Sequence, residues 1–228
     1  MKPNLEDFRG QTAKQITKTL LAKGYQAVSS PHPSSRFFRD PQSDHLVRLS
    51  ETPRLTAAFC AACQASNDNN FLPKIFSHAT LGPTLHVSVS ENLHRLEEIG
   101  AQPNITLFGH ARAVSSFLAG DEMHKDVHRC MLFEQPIIDA AQTLIAVALK
   151  DCHAASAASE PAFTLDPCGD SIWFRSGEGN CQTIYADPFM ASPKDPAETL
   201  KELQWMERRF SSQERDAEKS AFWRDRQP

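Results

Sequence analysis

One stretch constrains this chain more than any other: residues 165–188, LDPCGDSIWFRSGEGNCQTIYADP. Asp166 sits in a loop, Ile172, Trp173 and Phe174 form a short apolar run, and Gly177-Glu178-Gly179 supplies a turn. A second run closes on Ile184 and Tyr185, and Asp187-Pro188 follows. Strand, glycine-bearing turn and strand together are a hairpin signal. This hairpin carries one aspartate before it and one after it. From the residues alone, the two acids are either chemistry or turn residues kept for loop hydrogen bonds.

Around that hairpin the chain has 228 residues, enough to bury a real core as one medium domain or two small lobes. Residues 5–23 place Leu5, Phe8, Ile16, Leu20 and Leu21 at helical spacing ahead of Gly24, which predicts an N-terminal helix. Residues 29–35, with two prolines, four serines and a histidine, read as a surface loop. Residues 37–49 suit a hairpin broken at Asp40-Pro41, and Pro53 opens a helix running to about residue 66. A polar turn at 67–70 ends it, residues 85–89 alternate as a strand, and 91–99 lead into the second half. There, 105–118 and 136–153 are helices, the latter apolar nearly all round and so buried, and 154–162 is a small-residue connector. A charged C-terminal helix follows Pro196, docked by Trp205, Met206 and Phe210, and beyond residue 211 the chain is a charged tail.

The order of these pieces resembles a protein kinase. Residues 35–41 (SRFFRDP) and 44–49 (DHLVRL) are similar to strands two and three of a kinase N-lobe. Residues 57–60 (AAFC) and 71–76 (FLPKIF) are similar to the helix that follows and its exit into the next strand. The hairpin at 165–188 matches the catalytic segment, and Asp187-Pro188 stands where most kinases have Asp-Phe-Gly. The similarity is to the small early serine/threonine kinases of short-tailed lytic phages and to minimal bacterial kinase-like proteins, over roughly residues 25–190. It implies an α+β, two-lobed protein-kinase-like fold. The divisions are an N-terminal helix at 1–24, an N-lobe with a small antiparallel sheet at 25–98, a mainly helical C-lobe at 99–197 and a charged helix and tail at 198–228.

The resemblance also assigns roles. Asp166 orients or deprotonates the acceptor hydroxyl, Asp187 holds Mg²⁺, and the strand-three cation Arg48 contacts the phosphates of ATP. The second-metal asparagine of such enzymes falls at Ser171, a poorer ligand, and Asp170 beside it is a substitute carboxylate. Arg48 replaces the usual lysine, a swap that is not conservative in a fitted site; it either binds phosphate or pairs with a surface carboxylate. The loop at 28–35 has no glycine, and its prolines remove donors. The helix at 56–66 has no acidic residue to position Arg48; the nearest, Glu51, lies upstream.

With the glycine loop, the lysine–glutamate pair and the asparagine all altered, the function implied is a pseudokinase that acts by binding a protein partner, in a phage–host or defence setting. The alternatives are a divergent Ser/Thr protein kinase using ATP and Mg²⁺, and a nucleotidyl or other group transferase on the same fold. A net charge of −4 argues against nucleic acid as a partner. No run approaches the ~18 apolar residues that span a bilayer, and the acidic N-terminus (MKPNLED) is no secretory signal. Dispersed cysteines at 60, 63, 130, 152, 168 and 181 suit reduced thiols and a cytoplasmic setting. Cys60-Ala61-Ala62-Cys63 has metal-ligand spacing but no second pair, so it reads as two small core residues. His124 and His128, one helical turn apart, read as a solvent-facing polar segment. Phe222 and Trp223 in the tail either anchor it back on the C-lobe or contact a partner or second subunit; the second is favoured, and with it an oligomer through the C-terminal helix.

Overall fold

The computed structural model describes residues 3–30, 32–95, 98–99, 135–166, 172–177 and 180–211. Its order begins with a 3-10 turn (Leu5–Phe8), α1 (Ala13–Ala22), β1 (Gln26–Val28), β2 (Ser35–Arg39) and β3 (His45–Ser50). Next come α2 (Pro53–Ala65), β4 (Ile75–Thr80), β5 (His86–Glu91) and α3 (Gln135–Ala158). The remainder is β6 (Phe163–Leu165), β7 (Ile172–Gly177), β8 (Asn180–Tyr185), β9 (Phe189–Ala191) and α4 (Pro196–Arg209). The fold is α+β. Strands β1 to β5 form one antiparallel sheet in the order β1-β2-β3-β5-β4, with α2 connecting β3 to β4. No helix among the described residues is long and apolar enough to cross a membrane.

The N-terminal helix expected over residues 5–23 is two pieces. Gly10 adopts a left-handed φ of 73°, which an L side chain resists, and the chain turns there. Thr12 and Gln15 then form a reciprocal capping box that starts α1 afresh. The break aims Leu5, Phe8, Ile16 and Leu20 at one face of the sheet, where they bury against Phe38, Val47, Leu49, Val87 and Val89. Burial of each such side chain is worth about 1.5–3 kcal/mol.

The opposite face meets α2 and the β7–β8 hairpin. Phe37 and Leu46 pack there with Trp173, Ile184 and Ala186. Between these apolar contacts the face is polar: Ser35, Arg48, Ser50, His86, Ser88 and Ser90 are all buried on it. Thr56 of α2 reaches Ser50 through a 2.7 Å hydroxyl contact. The largest apolar cluster lies beyond α2, where Leu55, Phe59 and Cys63 meet the buried face of α3.

Helix α3 runs to Ala158, longer than expected, so the connector into β6 is short. On α4 the docked face is Leu203, Met206 and Phe210, at spacings of three and four. Trp205, expected among them, is out of phase with that stripe and 40% exposed. The helix expected at 105–118, His124, His128 and the tail aromatics lie outside the described residues.

One ion pair fastens the hairpin to the sheet. Arg175 of β7 donates to both carboxylate oxygens of Glu91, at 2.5 and 2.6 Å, and to the carbonyls of Asn70 and Leu72. A fork of this kind fixes orientation as well as distance. Glu91 accepts a third bond from the Lys74 amide at 2.8 Å.

Candidate functional site

Two short ladders bring the aspartates together. Leu165 pairs with Phe189 in the β6–β9 ribbon, and one residue further the Asp166 amide donates to the Pro188 carbonyl at 2.7 Å. Asp166 and Asp187 therefore leave the ribbon at the same end. The β7–β8 hairpin then places the segment after Tyr185 under the polar face of the sheet. Arg48 stands at the centre of that face, opposite Phe37 on β2 and Ser88 on β5.

Arg48 reaches across and forms a buried ion pair with Asp187 through its Nη2. The same nitrogen donates to Ser35 Oγ at 3.0 Å, and the guanidinium carbon lies 5.5 Å from the centre of the Phe37 ring. Asp187 is 1% exposed and Asp166 5%. His32, from the proline-bracketed loop ahead of β2, closes the group with Nε2 3.3 Å from Asp166 Oδ2. The site is thus Arg48, Asp187, Asp166, His32 and Ser35, drawn from β2, β3, the loop before β2 and one end of the β6–β9 ribbon.

The charges balance closely. Burial pushes the Asp187 carboxyl above its ordinary range, while Arg48, His32 and the Ser35 hydroxyl pull against it. His32 is raised above its ordinary value, first by its contact with Asp166, with burial opposing. Not every polar atom is matched: Arg48 Nε, Asp187 Oδ2 and Trp173 Nε1 are buried without a hydrogen-bond partner among the described residues. Orphans of this sort are costly and mark a site suited to water or a small polar ligand.

Of the residues predicted for the site, Arg48, Asp166 and Asp187 converge. Asp170 and Ser171 lie outside the described residues. Glu51, the acid nearest Arg48 in sequence, pairs instead with Arg36 at 3.2 Å on the surface. Of the two readings left open for Arg48, the structure shows a carboxylate partner, but a buried one rather than a surface one. His32 and Ser35 were not foreseen as members. A loop read as surface is anchored inward by its histidine, and no local spacing announces a contact with an acid more than a hundred residues away.

A second polar group lies on the same face. His86 is fully buried; its Nδ1 is 3.0 Å from Thr80 Oγ1, and its Nε2 has no hydrogen-bond partner among the described residues. Burial, with His78 and Arg48 adding to it, pushes the His86 pKa down to about 4. Cys60 and Cys63 are both buried on α2, as expected of core residues. Comparison of the chain with protein-family models, curated proteins and solved structures finds no match.

Proposed function

We propose that this chain is a degenerate protein-kinase-like protein that works by binding a protein partner rather than by transferring phosphate. The observation that carries the reading is the buried Arg48–Asp187 pair. In a kinase the strand-three cation serves the nucleotide phosphates and the aspartate after the hairpin serves Mg²⁺. Here the two serve each other. The antiparallel sheet with one helix after its third strand, followed by helix and hairpin, supports the two-lobed arrangement behind this reading.

His32 supports it further. It sits where a kinase has its glycine loop over the phosphates, and it pairs with Asp166, the residue that would orient an acceptor hydroxyl. Seating ATP and Mg²⁺ requires both contacts to open. Opening them leaves buried charges to be compensated by the ligand. Phosphoryl transfer depends on preorganised charge, and a site whose charges are already spent on each other is poorly prepared for it. The partner belongs to a phage–host or defence setting on the strength of the resemblance.

A second reading, a divergent Ser/Thr kinase, draws on the meeting of Asp166 and Asp187 and on the open Asp187 Oδ2. The two readings part on one measurement. Thermal unfolding with ATP and Mg²⁺ is expected to show no magnesium-dependent shift, and radiolabelled ATP no transfer. A shift together with transfer that disappears in Asp187→Ala would establish the kinase and overturn the proposal. Affinity capture with the full chain tests the other half: one stoichiometric protein partner is expected, and recovery of none counts against a binding role.

A further inference from the structure

Beyond this cleft, the opposite end of the polar face holds a thiol and two imidazoles. Cys60 comes from α2, His78 from β4 and His86 from β5, and their ligand atoms all lie within 4.8 Å of one another. We propose that Cys60, His78 and His86 bind a zinc ion. Nothing in the kinase-like reading requires such a site, so the two stand or fall separately.

The backbone builds the group by a specific device. Ile75 pairs with Ser90, but the register then shifts by one, so that Ser77 pairs with Val89 and His78 with Ser88. Without that shift His78 would fall opposite Val87, on the apolar face of the sheet. The irregularity instead turns His78 to the face that carries His86 and Ser88, in the manner by which bulges re-aim side chains. His78 and His86 become diagonal neighbours, their ring centres 5.3 Å apart. Helix α2 then lays Cys60 across them.

The chemistry of the set fits zinc. Thiolate with imidazoles is the donor mixture that zinc takes, and three protein ligands leave a fourth position for a water or another donor. His86 is already oriented: Thr80 holds Nδ1, leaving the buried Nε2, unpartnered among the described residues, as the metal-binding atom. Ligating histidines are characteristically held in this way through the second ring nitrogen. A free polar nitrogen in a fully buried ring is otherwise a pure cost. The nearby guanidinium of Arg48 is paired with Asp187, which reduces its repulsion of an incoming cation. Cys63, one turn further along α2, packs into the apolar cluster with α3 and is not a ligand.

The test uses the full chain, stripped with chelator and titrated with zinc against a competing chromophoric chelator. About one zinc per chain is expected. Cobalt in its place should give a thiolate-to-metal charge-transfer band. His78→Gln changes a half-buried strand residue and is expected to keep the fold, checked by circular dichroism. It should weaken zinc binding at least about tenfold, because removing a direct ligand exceeds the effect of removing its support. Cys60→Ser should abolish the cobalt band, and Cys63→Ser should retain it. Absence of the band in the wild-type chain, zinc binding unchanged in His78→Gln, or a band lost in Cys63→Ser but kept in Cys60→Ser would overturn the site.

Discussion

On one face of the five-stranded sheet Phe38, Val47, Leu49, Val87 and Val89 meet the 3-10 turn and α1; on the other, Ser35, Arg48, Ser50, His86 and Ser88 meet α2 and the hairpin. The two sets alternate along the same strands, since successive side chains point to opposite faces. Both are buried. One is held by apolar contact, which tolerates approximate geometry, and the other by hydrogen bonds and paired charges, which do not. A chain under selection for stability alone gains little from the second kind of face. Its presence here, with polar atoms left unmatched among the described residues, is what makes it the candidate functional side.

The largest test of that contrast is to break the charge pair. Asp187→Ala leaves Arg48 buried without its counter-ion, and should destabilise the protein by about 3–5 kcal/mol in chemical denaturation. Replacing both members, Arg48→Met with Asp187→Leu, should recover most of that loss, because apolar groups of similar volume remove the burden of both charges. If the double variant is as unstable as the single one, the polar face is structural in a way the contrast denies. On the other face, Leu20→Ala should lose about 2–5 kcal/mol with no partner change able to rescue it.

The histidines sharpen the comparison through pH. His86 is lowered to about 4 from an ordinary 6.5, so in the metal-free chain the unfolded state takes up the proton first. Stability should therefore fall as pH drops from about 6.5 to about 4, by something on the order of 3 kcal/mol. His86→Gln should flatten that limb of the stability curve. His32 has the opposite sign: its raised value makes its contribution complete below about 6.5 and lost as pH climbs through the folded value. His32→Gln should remove an alkaline decline, measured by thermal unfolding across neutral pH. The smallest effect belongs to Trp205, 40% exposed on α4. Trp205→Ser should change stability by no more than about 0.5 kcal/mol.

How much of this was legible in the residues depends on the range of the interaction. The β7–β8 hairpin, β2, β3 and α2 follow from local periodicity and turn chemistry, and they stand where those signals put them. Asp166 and Asp187 were legible because the hairpin between them is itself local. The break at Gly10 was not, because an apolar periodicity continues through it while the capping pair Thr12–Gln15 marks a new start. Trp205 misled for a related reason: aromatic character outweighed its phase on the helix. His32 and the Cys60–His78–His86 group depend on tertiary contact, and the latter on a one-residue register shift that no composition records.

The Arg48–Asp187 pair also has a history within each newly made molecule. Its members are 139 residues apart in the chain. At synthesis rates of about 5–20 residues per second, Arg48 waits about 7–28 seconds on the ribosome before its counter-ion exists. During that interval the sheet can close its apolar side against the α1 that precedes it, whereas on the polar side α2 is in place before the hairpin that completes the cover. The part that α2 does not yet share with the hairpin offers water hydroxyls and a hydrated guanidinium rather than an adhesive patch. A nascent chain arranged this way shields its greasy half early and can afford to finish late.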